Sequence, residues 1–242
     1  MWSFLGGYMK KSFTCLLFLI FGLTALCAGD VASFVDKGFT DDGRYYVFGQ
    51  YGKTDKTFQG WAEIYQVDIA ANDYVDSGTF KTKPSSVTAN KNGKDVYQDL
   101  EAKSFYYYKN LKTQTSDADH ILYILDDVNK TGSDQISFTD FHGSTIDNSN
   151  TYNIRLIQTV NGKGKNCKSS FYINVDIKDS EGKVISSHKV GSPNILRKGV
   201  TNYKIERIFC DKSEKNLIFV IEKMLEDDTG TSIRYMVEAA QF

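Results

Sequence analysis

Asp41-Asp42-Gly43 stands between two runs of aromatic and β-branched residues, Phe34-Val35-Asp36-Lys37-Gly38-Phe39 and Arg44-Tyr45-Tyr46-Val47-Phe48. Glycine takes the positive φ that a tight turn between strands needs, so this stretch reads as a β-hairpin. After a polar loop, residues 61–69 set Tyr65, Val67 and Ile69 against Gln66 and Asp68, a third strand with one buried face. The other end of the chain has the same spelling. Residues 205–209, a turn at 211–216, residues 217–221, a polar loop at 226–230 and residues 233–238 follow one another. Phe39, Phe48 and Tyr65 correspond to Phe209, Phe219 and Tyr235 at nearly equal spacing. Two copies of one three-strand meander are the simplest reading. It turns Tyr235 and Val237 inward, puts Arg234 on the solvent face, and brings the chain ends near one another.

Between these units, residues 152–160, 170–178 and 183–190 form a third meander, with turns at 161–166 and 179–182. One segment breaks the two-residue period. Asp95 is placed to cap a helix with Gln98 at its third position, and Leu100, Tyr107 and Leu111 recur at helical spacing. The expected fold is therefore mostly β (α+β). It consists of antiparallel β-meanders in propeller-blade-like or sandwich-like sheets, with one main helix near 96–112.

Lys10 and Lys11 precede an uncharged run through Gly29, with its apolar centre in Leu16-Leu17-Phe18-Leu19-Ile20-Phe21. This is the pattern of a secretory signal peptide. Gly22 and Thr24 leave it short of the roughly 20 apolar residues of a membrane span. Residues 1–28 are read as the signal, with Met9 as an alternative start, and 29–242 as a single exported β-rich domain. Cys27 raises the alternative of a lipoprotein, but Leu26 before it is not the small residue that acylation prefers. Export leaves Cys167 and Cys210 in an oxidising compartment, either as a disulfide or as two thiols. With 41% hydrophobic and 24% charged residues the chain is not a disordered tail. Its net charge of −1 offers no basic field for nucleic acid.

Residues 33–52 are similar to the opening of a family of predicted secreted bacterial proteins, domain of unknown function 2259, with members in treponeme-like spirochaetes. Residues 205–238 are similar to its ending. The resemblance implies export and a shared fold, and carries over no activity and no site residues. A local likeness to the blades of TolB-type propellers rests on Thr40-Asp41-Asp42-Gly43, which lacks the proline of that turn. About 214 mature residues with a helix among them are too few to close a ring of such blades.

Motifs that carry chemistry are sparse. There is no nucleophile elbow, phosphate loop, His-Glu-x-x-His or Cys-x-x-Cys. Ser186 and Lys189 have the Ser-x-x-Lys spacing of some acyl-transfer enzymes, but lie on an expected strand, where residues three apart face opposite ways. His120, His142 and His188 are scattered without ligand spacing. Asp127, Asn129 and Thr131 have the oxygen spacing of a calcium loop, yet Phe138 stands where the bidentate glutamate belongs, so a polar turn is expected. Trp61 and the tyrosines are expected in the core.

No catalytic residue, metal ligand or cofactor is assigned. The expected function is a non-catalytic binding or scaffolding module of the bacterial cell envelope, periplasmic or secreted. Its partner would be an envelope protein, peptide or glycan, with no nucleic acid and no membrane span after signal cleavage. The alternative is a periplasmic hydrolase whose site is assembled from dispersed residues. A cleft that joined a histidine, a carboxylate and a hydroxyl would favour the hydrolase, whereas exposed apolar surface would favour the binder.

Overall fold

The computed structural model describes residues 30–125, 135–139, 149–228 and 230–242. In chain order its strands begin with β1 (Asp30–Val31), β2 (Ser33–Thr40), β3 (Tyr45–Lys53), β4 (Gly60–Asp68), β5 (Asp73–Tyr74) and β6 (Phe80–Thr82). Helix α1 (Gly93–Tyr108) follows, then β7 (Thr113–Gln114), β8 (Ile121–Ile124), β9 (Gln135–Thr139) and β10 (Thr151–Asn161). The chain ends in β11 (Lys168–Lys178), β12 (Val184–Lys198), β13 (Val200–Cys210), β14 (Asn216–Asp227) and β15 (Gly230–Gln241).

The expected hairpin forms between β2 and β3. Gly43 turns the chain at φ +67°, and the Thr40 hydroxyl donates to Asp42 at 2.6 Å while accepting from the Tyr45 N–H at 3.0 Å. Both terminal meanders and the middle one are present as antiparallel strands.

Three sheets result, with strand orders β5-β4-β3-β2-β7, β1-β15-β14-β13-β8 and β12-β11-β10-β9. They stack face to face, the sandwich-like arrangement. Val96, Tyr97 and Leu100 of α1 pack on Val47, Ala62 and Ile64, on the outer face of the first sheet. The inner face of that sheet, with Tyr46, Phe48 and Val67, meets Phe209, Ile218 and Val237 of the second. The other face of the second sheet, with Tyr203, Phe219 and Ile221, meets Ile154, Phe171 and Ile173 of the third. The second sheet is therefore covered on both sides. That is why Leu217-Ile218-Phe219-Val220-Ile221 is an unbroken apolar run, since a strand buried on both faces has no solvent side to mark with polar residues. Each fully buried large side chain here contributes roughly 1.5–3 kcal/mol.

Several expectations are corrected. The helix starts at Gly93, with the Asn92 side chain accepting from the Lys94 N–H at 3.1 Å, so Asn92 and not Asp95 is the cap. It ends at Tyr108, before Lys109 and Lys112. Phe48 and Phe219 occupy different cores, so the two terminal meanders match in strand order and not residue by residue. Asp30 pairs with Ser232, but Phe242 lies at the far end of β15, so only one chain end meets the other unit. Arg234 is not a surface residue. Its guanidinium pairs with the buried Asp30 and lies 4.0 Å from the centre of the Trp61 ring, while the Trp61 N–H also donates to Asp30 at 3.2 Å.

Candidate functional site

The middle meander supplies the first candidate. β12 is an edge strand, so alternate N–H and C=O groups along it have no strand partner. It runs eight residues beyond the expected end at Val190, and the cause is an irregularity. Ser169 pairs with Arg197 but Phe171 pairs with Ser192, leaving Pro193, Asn194, Ile195 and Leu196 opposite Ser170 alone. Pro193 was the available sequence signal, because proline within a sheet is confined to edges and bulges.

A cleft of about 570 Å³ runs beside β12, with β15 and the turn before Tyr74 as its other walls. At its lining the Glu238 carboxylate is buried, with the Asn72 amide donating to it at 2.7 Å and Arg197 at 3.6 Å. Burial holds the Glu238 pKa above the usual carboxylate range, against the pull of Asn72 and Arg197. Gly191, at φ +77°, lets β12 pass close to that carboxylate, since a Cβ there would lie 3.3 Å from both oxygens. Most of the apolar exposure of this unit sits on the same strand: Val184, Ile185, Ile195 and Leu196 are all about half exposed or more. Of these Ile195 lines the cleft, which can therefore offer an extended ligand backbone hydrogen bonds from one wall and an apolar contact beside Arg197.

A second cleft, also about 570 Å³, lies where the turns of the two terminal meanders meet. Asn216 joins them by donating to the Gly43 carbonyl at 3.1 Å and to Asp211 at 2.9 Å. The segment before β8 adds Ser116, Asp117 and His120, and His120 Nδ1 hydrogen-bonds Asp117. That bond, first among the causes, keeps the Asp117 carboxyl below its usual range. This cleft does bring a histidine, carboxylates and hydroxyls together. Three of the hydroxyls at its lining are engaged or enclosed: Thr40 donates to Asp42 at 2.6 Å, Ser213 donates to Asp211 at 2.7 Å, and the Ser116 oxygen is buried without a bonded partner, whereas Thr115 is exposed. Among the described residues no hydroxyl is hydrogen-bonded to His120, so the nucleophile–base contact of a triad is not made. The Asp-x-x-His spacing within one turn was its only sequence signal.

Of the remaining sequence candidates His188 lines the cleft beside β12, together with Asp73 and Glu238, and the others are dispersed. Ser186 bonds His188 on one face of β12, while Lys189 faces the other way over the Tyr172 ring at 4.6 Å. Trp61 is 3% exposed and belongs to the core. Cys167 and Cys210 are buried thiols and form no disulfide. The Cys167 thiol donates to the carbonyl of Val200 at 3.1 Å, at the start of β13, and Cys210 closes that strand. Ten strand residues separate the two ends by roughly 30 Å, far beyond the reach of an S–S bond. Asp127, Asn129, Thr131, His142 and the segment 1–28 with Cys27 lie outside the described residues. Among the described residues no cluster of His, Cys, Asp or Glu is arranged to hold a metal, and no helix is long and apolar enough to cross a membrane.

A family model described as "Predicted secreted protein (DUF2259)" matches residues 47–241. No curated protein and no solved structure matches the chain.

Proposed function

The chain belongs to the family of predicted secreted proteins DUF2259, and from that premise we propose that it is a non-catalytic binding module of the bacterial envelope that takes up an extended segment of a partner along β12. One observation carries the reading: an edge strand with exposed Ile195 borders a preformed cleft. Strand addition supplies main-chain hydrogen bonds for affinity and leaves alternate side chains to specify the partner. In this reading residues 29–242 act as one exported domain after removal of the signal, in the periplasm, with no lipid on Cys27. Cross-linking tests it. A photoreactive residue at Ile195, exposed in the lining of the cleft, should give a discrete adduct with one envelope partner in the native cells. The same residue at Tyr106, on the outer side of α1, should not. Identical adducts from both positions, or none from Ile195, would refute strand addition.

The hydrogen bond between Asp117 and His120 favours a second reading, a hydrolase acting in the cleft between the turns. Ester turnover by the mature protein that disappears in His120→Ala would establish it.

A further inference from the structure

We propose that the partner segment taken up along β12 carries a lysine or arginine, whose cationic head enters the cleft and pairs with Glu238. The proposal rests on strand addition and names the side chain that the added strand presents.

Glu238 is 6% exposed, and its carboxylate is short of donors. An ionised carboxylate has about four acceptor sites. The Asn72 amide fills one at 2.7 Å, while the Arg197 guanidinium stands 3.6 Å away, beyond hydrogen-bond distance. Arg197 is drawn elsewhere. Its guanidinium carbon lies 4.9 Å from the centre of the Phe171 ring, and it donates to the Ile195 carbonyl at 3.4 Å. A carboxylate buried with so few partners costs stability until another group supplies charge and donors.

The charge around Glu238 is unbalanced in the same direction. Asp73, exposed at the lining, accepts from the Tyr74 N–H at 2.7 Å and has no ion pair among the described residues. Of the basic side chains at the lining, Arg197 alone is paired with either carboxylate. His188 bonds Ser186 and meets the Phe242 ring edge-on at 4.7 Å, and Lys189 lies on the opposite face of β12 over Tyr172. Lys198 follows Arg197 directly, so alternation puts it on that opposite face too.

The cleft leaves the carboxylate uncovered on the β12 side. Gly191 has no side chain, and a Cβ there would lie 3.3 Å from both Glu238 oxygens. In an added strand every second side chain turns the same way, so one of them can face the cleft. The methylene stem of a lysine or arginine can lie along Ile195 while its head supplies donors and charge. A glutamate there would add a third carboxylate. Among the described residues no third His, Cys, Asp or Glu completes a metal site around Glu238 and Asp73.

The test is fluorescence anisotropy of labelled heptapeptides, Thr-Val-Thr-X-Thr-Val-Thr, with X lysine, arginine, norleucine or glutamate, added to the mature protein. The lysine and arginine peptides should bind about ten-fold tighter than the norleucine peptide, the factor carried by one hydrogen bond to a charged group. The glutamate peptide should bind weakest. Glu238→Gln should bring the lysine-to-norleucine ratio close to one. Asp73→Asn, at an exposed position that leaves folding intact, should lower that ratio about two-fold. Equal affinities for all four peptides would leave strand addition standing and overturn the charge selection. So would a preference for glutamate, or a ratio that neither variant moves. No binding by any peptide would overturn strand addition and this proposal with it. A two-chain mass in sedimentation equilibrium would then give the edge of β12 to a second copy of the chain.

Discussion

The side-chain amide of Gln50, on β3, is bonded both ways to the backbone of Tyr235, on β15. It accepts from the Tyr235 N–H at 2.8 Å and donates to the Tyr235 carbonyl at 3.2 Å. Two more side chains continue the pattern at two-residue steps: the Tyr74 hydroxyl accepts from the Val237 N–H at 3.1 Å, and Asn72 from the Ala239 N–H at 2.6 Å. β1 covers only the start of β15, so the rest of that edge would otherwise be open to pairing. The first meander closes it with side chains, while β12 keeps its edge.

Gln50→Leu therefore removes the partners of two backbone groups at a position only 2% exposed. Each group left unpaired costs about 1–3 kcal/mol. Urea melts should show a loss of about 3 kcal/mol, and a loss under about 0.5 kcal/mol would show that water replaces the amide.

Arg234→Ala strands the buried Asp30 carboxylate and uncovers Trp61. Breaking such a pair costs about 3 kcal/mol or more. Tyr235→Ala removes a half-buried ring packed edge-on to Phe34 at 5.5 Å and should cost about 3 kcal/mol as well. Chemical denaturation of the two variants should thus give similar, large losses. A negligible loss for Arg234→Ala would restore the surface role expected from strand alternation.

Lys223 makes stability depend on pH. Burial, helped by Arg197 and Arg234 and opposed by Glu63, holds its pKa down at about 8. In the unfolded chain a lysine keeps its proton to about pH 10.4. Between these values the unfolded state binds more protons at this group, so Lys223 should raise stability as pH increases through about 8 towards 9. Denaturation midpoints across that range should climb for the wild type and not for Lys223→Met. Towards about pH 10 both should fall, because burial raises the pKa of Tyr46, Tyr65, Tyr74, Tyr97, Tyr108 and Tyr235 in the fold and they ionise first in the unfolded chain. A wild-type midpoint that falls across the first of these ranges would contradict the assignment.

Reducing agent should leave the melting temperature unchanged, because Cys167, bonded to Val200 at the start of β13, and Cys210 at its end are thiols far apart. A drop of several degrees on adding dithiothreitol, with a mass change of two hydrogens, would require a different path for β13.

The meanders, the hairpin at Gly43 and the presence of one helix were legible because each depends on neighbours within a few residues. A period of two, a turn glycine and apolar spacing along a helix are local statements. The clefts were less legible. Asp117 and His120 are three apart and could be paired from sequence, but Asp211 and Asn216 reach Gly43 only because two distant turns are brought together. The helix start was misplaced because Asp95 and Asn92 are both good caps, and only packing of Val96 and Tyr97 on β3 and β4 chooses between them.

By itself the sequence determined the main strands of the three meanders and, where they alternate, which face is apolar, since side-chain alternation follows from backbone geometry alone. The tertiary structure decided how the sheets stack, which edge is closed by Gln50, Tyr74 and Asn72, and that Arg234 turns back to Asp30 and Trp61. Those choices depend on contacts between residues as far apart as 30 and 234, whose energies exist only once the chain has brought them together.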